Sequence, residues 1–238
     1  MTSQFVSGRG RTQLVVIFLY AGIAVALIHL LFNFFLLVII PQTTLGDLIV
    51  LGEETWVDMM QVLLSLLQFL IFVATAVLFL MWIHRAYRNL SALGVSRLEY
   101  TPGWAVGWFF VPFASLFVPY RVMKEMWVRS GSQVNAQTVI HSPQGGSLSL
   151  LGWWWGFWVV SNFLDQAVFR MYRLPETPDM LFTIAKVEIV ADAVSIVAAF
   201  LAIQVVKGIS ERQEESSKLL QTYMPPPPPS EFTPQVNG

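Results

Sequence analysis

The sequence predicts an all-α integral membrane protein with four transmembrane helices and one further tryptophan-rich segment that enters the bilayer and returns. Two observations support this fold class. Hydrophobic residues make up 55% of the 238-residue chain, 12% are charged and the mean hydropathy is +0.60, whereas soluble domains carry about 25% charged residues. The hydrophobic residues are also gathered into runs near the roughly 20 residues that cross a bilayer as a helix.

The first span is predicted at residues 14–40, after Arg9 and Arg11. This apolar run is much longer than the core of a signal peptide, so we expect it to be retained as a helix. His29 and Asn33 lie four residues apart within it and therefore share a face. Hydrogen bonding to a neighbouring helix and a ligand or proton site are the two alternatives for this pair.

The second span is predicted at residues 59–83, with Gln68 as its deep polar residue. We expect the helix to continue into water and to stop at Gly94, because glycine commonly follows the last turn of a helix. Arg85 and Arg88 would then lie near the lipid phosphates. They either anchor this end in the cytoplasm or contact a phosphate group or a partner.

Residues 104–119 form an apolar box that is too short to span the membrane. As a continuous helix it would measure about 24 Å, against about 30 Å of hydrocarbon. Pro112 also removes a backbone hydrogen bond at its middle. We therefore predict a re-entrant segment packed among the spans. The residues that define the box and its flanks are Pro102, Gly103, Trp104, Gly107, Trp108, Pro112, Pro119, Tyr120 and Trp127.

Residues 120–130 predict a short interfacial helix after the box. Met123 and Met126 belong to an apolar face, while charged residues occupy the other side. A helix of this kind lies in the headgroup region of a membrane. The candidate face for a lipid or partner comprises Arg85, Arg88, Arg121, Lys124 and Arg129.

The remaining spans are predicted at residues 150–169 and 183–206. Glu188 and Asp192 lie one turn apart in the latter. We expect the polar residues of the spans to gather between the middle of the membrane and its outer side, as a structural network or as a cation or proton site. The candidate polar cluster comprises His29, Asn33, Gln68, Asn162, Asp165, Glu188 and Asp192.

Residues 1–207 are thus predicted to form the membrane domain, and residues 208–238 a polar, proline-rich cytoplasmic tail. A proline run of this kind is typical of a disordered end or of a polyproline II ligand. If the box returns to its side of entry, most Lys and Arg residues lie on one side of the membrane. If it spans, they divide almost evenly. The positive-inside rule therefore favours a re-entrant box with both termini in the cytoplasm.

Three stretches of this chain resemble a known family. WIHRAYRNLSALG, YTPGWAVGWFFVPFASLFVPYRVMKEMW and LLGWWWGFWVVSN are similar to the bacterial membrane family called domain of unknown function 4328, over roughly residues 81–162. The resemblance implies a multi-pass protein of the bacterial plasma (inner) membrane. It implies no catalytic residues.

No catalytic motif is present: the chain lacks the HExxH zinc site, the GxSxG elbow and the Walker loop. We expect no enzyme activity and no cofactor, and a net charge of −1 argues against nucleic acid as a partner. The expected function is a membrane scaffold or sensor that binds a partner, or an anionic lipid, at its cytoplasmic face. The alternative is a small ion or solute transporter or channel subunit that uses its buried carboxylates. The lipid bilayer is the expected surrounding, with a protein partner or a homo-oligomer left open.

Overall fold

A computed structural model describes residues 5–39, 56–131, 145–174 and 177–223. Within these ranges the secondary structure is entirely helical. Most of the loop between the first two predicted spans, most of the loop before the predicted span at 150–169 and the proline run of the tail lie outside the described residues. The α-helices are α1 (Arg9–Ile39), α2 (Trp56–Ala92), α3 (Pro102–Gly107), α4 (Val118–Ser130), α5 (Gly145–Met171) and α6 (Pro178–Tyr223). Two short 3-10 helices, Trp108–Phe110 and Ala114–Leu116, lie between α3 and α4.

Among the described residues, three helices are long and apolar enough to cross a membrane: α1, α2 and α6. This number would rise to four if the segments Pro102–Phe110 and Ala114–Ser130, between which the chain bends by 109°, formed one broken span. α5 contains the predicted span 150–169 and is 27 residues long. It is not among the three, because its tryptophans and polar residues lower its hydropathy. The count of four spans and the side of each terminus stay predictions.

α6 is the central helix of the bundle. It is 46 residues long, packs along α1 and α5, and also contacts α2 and α4. It continues without a break beyond residue 207, where we placed the start of the tail. Ile209 and Gln213 are buried, so the described part of the predicted tail is helical and its first turns pack into the membrane domain.

The hydrophobic core lies at one end of the bundle, where all six helices contribute side chains. Large apolar side chains farther along α1 and α2, such as Leu31, Phe69 and Phe72, are exposed. An apolar surface of this size is typical of contact with a membrane or a partner. The largest fully buried side chains of the core are Trp82, Ile83, Tyr87, Leu90, Met123, Met126, Leu151 and Ile209.

The end of α2 confirms the prediction at Gly94. This glycine has a φ of 82°, a conformation that other residues rarely adopt. Its N–H donates to the Ser91 carbonyl at 3.2 Å, and the Val95 N–H donates to the Leu90 carbonyl at 3.1 Å. These two bonds form a Schellman motif, which satisfies the last carbonyls of the helix.

A helix that rests in the headgroups would leave its apolar face uncovered by the rest of the protein. In the structure, the apolar face of α4 is covered. Met123, Met126 and Trp127 are buried in the core. The reason is that α2, α5 and α6 all pack against this helix. The side of α4 that remains exposed carries Arg121 and Lys124.

Candidate functional site

The two ends of the box meet at Glu125, a buried residue of α4. The Glu99 N–H donates to Glu125 Oε1 at 3.0 Å, and the Tyr87 hydroxyl donates to Glu125 Oε2 at 2.6 Å. The Tyr100 N–H donates to the same hydroxyl at 2.9 Å. The chain that enters the box and the helix that leaves it are therefore bonded to each other and to α2.

Arg129 strengthens the same junction. Its Nε lies 3.1 Å from Glu125 Oε1, and its terminal amino group donates to the Ser96 carbonyl at 3.3 Å. Arg129 belongs to the face predicted to bind a lipid or partner. In the structure, its guanidinium group is bonded within the protein instead.

The tip of the box is a tight turn that carries three exposed phenylalanines. Phe113 has a φ of 61°, and the Ala114 N–H donates to the Pro112 carbonyl at 2.7 Å, which is the geometry of a γ-turn. Phe110, Phe113 and Phe117 are 71%, 84% and 66% exposed. The box was expected to be packed among the spans, but its tip projects from the bundle.

α5 holds the returning arm of the box in place. The Trp155 indole N–H donates to the Leu116 carbonyl at 3.1 Å. The Trp155 ring stacks on Trp158 with centroids 4.6 Å apart and also lies beside Tyr120.

Thr101 accepts a bond from the Trp104 N–H and caps α3 at the start of the entering arm, with Pro102 in the first turn.

The two glycines of the box, Gly103 and Gly107, do not lie against a neighbouring helix. A Cβ added at Gly103 would meet nothing within 4 Å, and one at Gly107 would lie 3.2 Å from the Trp104 ring of the same arm. Within the described residues, neither glycine therefore marks a close contact with another helix. Trp104 and Trp108 lie against each other, with ring centroids 5.2 Å apart.

The exposed stripe of α4 continues from the tip. Phe117, Arg121, Lys124 and Val128 follow one another at steps of four, three and four residues, so they share one face, and all four are exposed. Arg88 on α2 is exposed as well. Arg88, Arg121 and Lys124 are thus the three of the five predicted basic residues that face outward. Arg85 is half-buried beside a small pocket that includes Asn89 and Glu214.

The polar cluster forms where α1, α2 and α6 meet. His29 Nδ1 lies 2.7 Å from Asp192 Oδ2, and His29 Nε2 lies 4.0 Å from Glu188 Oε2. The Asn33 amide nitrogen lies 3.3 Å from His29 Nε2. The Gln68 amide nitrogen donates to Asp192 Oδ1 at 3.4 Å. Five of the seven predicted residues are thus brought together.

Asn162 and Asp165 do not join the hydrogen-bonded cluster. Both lie on the exposed side of α5, and the Asn162 amide donates to the Trp158 carbonyl of its own helix at 2.7 Å. Asp192 acts on Asp165 through electrostatics. Their position follows from the rotation of α5, which turns Ser161 inward and these two residues outward.

Gln61 and Tyr172 belong to the cluster, but the sequence interpretation missed them. The Gln61 amide donates to Glu188 Oε2 at 2.9 Å, and the Tyr172 hydroxyl donates to Glu188 Oε1 at 2.8 Å. Gln61 lies seven residues before Gln68 and shares its face of α2, a signal that could have identified it. Tyr172 follows the end of α5, where periodicity gives no signal.

The family model Domain of unknown function (DUF4328) matches residues 51–211. The chain belongs to this family. No curated protein and no solved structure matches the chain. The DUF4328 match extends beyond both ends of the resemblance at residues 81–162, and it includes α2, the box, α5 and most of α6.

The DUF4328 region contains the α2 and α6 side of the polar cluster, while His29 and Asn33 precede it. Within the part of the chain that the structure describes, no group of three or more His, Cys, Asp or Glu side chains is arranged to hold a metal ion. What the cluster presents is a buried imidazole between two carboxylates, with amide and phenol groups around them.

Proposed function

We propose that this protein is a non-enzymatic membrane module that binds anionic lipid headgroups at the cytoplasmic face of a bacterial inner membrane. The observation that carries this proposal is the exposed stripe of α4, on which basic residues follow directly behind an apolar tip. Phenylalanines at the tip favour hydrocarbon, and the cations behind it favour phosphate. A membrane surface offers both environments in the same order.

The spacing along α4 supports this arrangement. At 1.5 Å per residue, Arg121 lies about 6 Å and Lys124 about 10 Å beyond Phe117. The headgroup layer on each side of a bilayer is about 5–7 Å thick. With the tip in the hydrocarbon and the α4 axis close to the membrane normal, both cations would therefore lie at or near the level of the phosphates.

The junction at Glu125 supports insertion from a single side. Because Glu99 and Ser96 are bonded to the helix that leaves the box, the two arms are joined at their base and the tip of the box extends away from this junction. The turn also satisfies part of its own backbone, since the Ser115 N–H donates to the Val111 carbonyl at 2.9 Å. Backbone groups that enter hydrocarbon require such internal partners.

The test is thermal unfolding of the full chain in detergent micelles with added phosphatidylglycerol or phosphatidylcholine. A lipid that binds the folded state raises the Tm, so phosphatidylglycerol should raise it more than phosphatidylcholine. Each basic residue contributes about 1 kcal/mol toward an anionic surface. The Arg121→Gln/Lys124→Gln double variant should therefore bind phosphatidylglycerol about 30-fold more weakly.

The matched control is Arg170→Gln/Arg173→Gln, which removes two exposed cations at the opposite end of α5. This variant should respond to phosphatidylglycerol as the wild type does. Equal responses of the wild type to both lipids would contradict the proposal, and so would an undiminished response of the Arg121/Lys124 variant.

A second candidate function is a small ion or solute transporter or channel subunit. It is favoured by the burial of Glu188 and Asp192 where three membrane-compatible helices meet, since carboxylates within spans commonly mark ion pathways. The test is ion flux into proteoliposomes. Asp192→Asn should abolish that flux, and a flux that this change leaves intact removes the transporter hypothesis.

A further inference from the structure

The hydrogen bonds of the polar cluster leave one kind of atom unpaired. All three amide groups of the cluster donate through their nitrogen atoms. Their oxygen atoms, Asn33 Oδ1, Gln61 Oε1 and Gln68 Oε1, are buried without a partner. Asn33 is 1% exposed, so water outside the protein does not compensate for it. The cluster therefore holds more acceptors than donors.

The histidine tautomer follows from its two neighbours. Nδ1 faces a carboxylate oxygen of Asp192 at 2.7 Å, so Nδ1 carries the proton. Nε2 faces the amide nitrogens of Asn33 and Gln61, both at 3.3 Å, so Nε2 is the acceptor. This arrangement corresponds to a neutral imidazole. With both carboxylates ionised, the cluster carries two negative charges where three apolar helices meet.

We infer that the polar cluster is a proton-binding site centred on His29. A proton taken from water would bind the lone pair at Nε2, and the site's charge would change from −2 to −1. Nε2 would then become a donor. The amide of Asn33 would turn over, so that its unpaired oxygen accepts from the imidazolium, while the Gln61 amide keeps its bond to Glu188. The proton supplies both things that the cluster lacks, namely a donor and a positive charge.

The groups around the site favour a positively charged occupant. α6 contributes Glu188 and Asp192, and Tyr172, just beyond α5, donates to Glu188. Asp165 on α5 is a further carboxyl group that interacts electrostatically with Asp192. α2 contributes uncharged amides. Buried anions at this depth are costly unless they are neutralised or paired, so proton uptake relieves an unfavourable field.

A proton fits the site better than a metal ion does. The carboxylates are already occupied by hydrogen bonds from His29, Gln61, Gln68 and Tyr172. A metal ion would have to displace several of these donors to obtain its ligands, whereas a proton requires the rotation of one amide, that of Asn33. Because His29 belongs to α1 and both carboxylates belong to α6, proton uptake changes the attraction between these two helices.

The experiment is a nitrogen NMR titration of the His29 ring in the full chain, reconstituted in nanodiscs. His84→Gln and His141→Gln remove the other two histidines. Between about pH 9 and pH 4, the signals should change from the Nδ1–H tautomer to the doubly protonated ring. Asp192→Asn should lower the midpoint by about one pH unit, a tenfold loss of proton affinity.

Asp179→Asn is the matched control, since it removes an exposed carboxylate from the first turn of the same helix. It should leave the midpoint unchanged. Where Asp192→Asn fails to fold, Glu188→Gln replaces it, with a smaller decrease expected because the two groups lie 4.0 Å apart. A ring that keeps one protonation state throughout overturns the inference, as does a midpoint insensitive to both substitutions. Neither result bears on lipid binding at α4.

Discussion

At the scale of single residues, Glu125 does the most to shape the box. One carboxylate accepts bonds from α2, from the entering chain and from Arg129 one turn ahead. Hydrogen bonds to a charged group are stronger than those between neutral groups. Burial of this carboxylate among three donors therefore fixes the distance between the arms of the box.

Glu125→Gln tests this role. Glutamine keeps the size of the side chain but offers one acceptor oxygen in place of two, so at least one buried donor loses its partner. We expect the free energy of unfolding to fall by about 1–3 kcal/mol, measured by chemical denaturation in detergent. Glu99→Gln, at an exposed position next to the junction, should change stability far less. Equal losses in the two variants would contradict the role.

The sequence predicted pairs of polar residues better than it predicted their surroundings. His29 with Asn33 and Glu188 with Asp192 could be matched by their helical spacing. Glu125 looked like one member of an exposed charged face, because the pattern along one helix does not reveal which other elements cover it. Of its donors, Tyr87 lies on α2 and Glu99 in a loop, whereas Arg129 lies one turn away on α4 itself.

At the scale of helices, α4 and α6 fit together through Gly208 and Trp127. A Cβ added at Gly208 would lie 2.8 Å from the Trp127 ring. Arg212, one turn farther along α6, covers the ring at 3.8 Å and donates to the Trp127 carbonyl at 3.0 Å. The indole is thus held between a glycine and a guanidinium group.

Gly208→Ala should reduce the free energy of unfolding by about 1–3 kcal/mol, because a rigid ring cannot move away from the added methyl group without repacking. Thermal or chemical unfolding in detergent measures this loss. Gly156→Ala is the control, since nothing lies within 4 Å of its added Cβ. It should be neutral or slightly stabilising, because alanine favours a helix. A similar response at both glycines would contradict the fit.

At the scale of the whole molecule, topology decides which surface meets which compartment. The chain contains no cysteine, so single cysteines can be introduced without background labelling. Arg97→Cys and Lys124→Cys flank the box at exposed positions. Both should react with a membrane-impermeant maleimide from the cytoplasmic side only, and Arg173→Cys from the opposite side only. Labelling of Arg97→Cys and Lys124→Cys from opposite sides would show that the box spans the membrane.

Hydropathy predicted the membrane-compatible helices α1, α2 and α6 well, because a long run of apolar residues is by itself enough to indicate such a helix. It described α5 less well, since that helix combines a tryptophan-rich half with polar residues. It also placed the end of the last span near residue 206, where polar residues begin. The continuation of α6 depends on its contacts with α4, and a change in composition does not report them.

The uninterrupted course of α6 has a consequence for its evolution and engineering. Asp192 and Gly208 belong to one helix, and each must point at a different neighbour. Inserting a single residue between them would rotate one relative to the other by about 100°, so either the carboxylate or the glycine would lose its neighbour. An insertion of seven residues would nearly restore the phase, at the cost of about 10 Å of extra length. The polar cluster and the contact between α4 and α6 are therefore held at a fixed rotation relative to each other about the axis of α6.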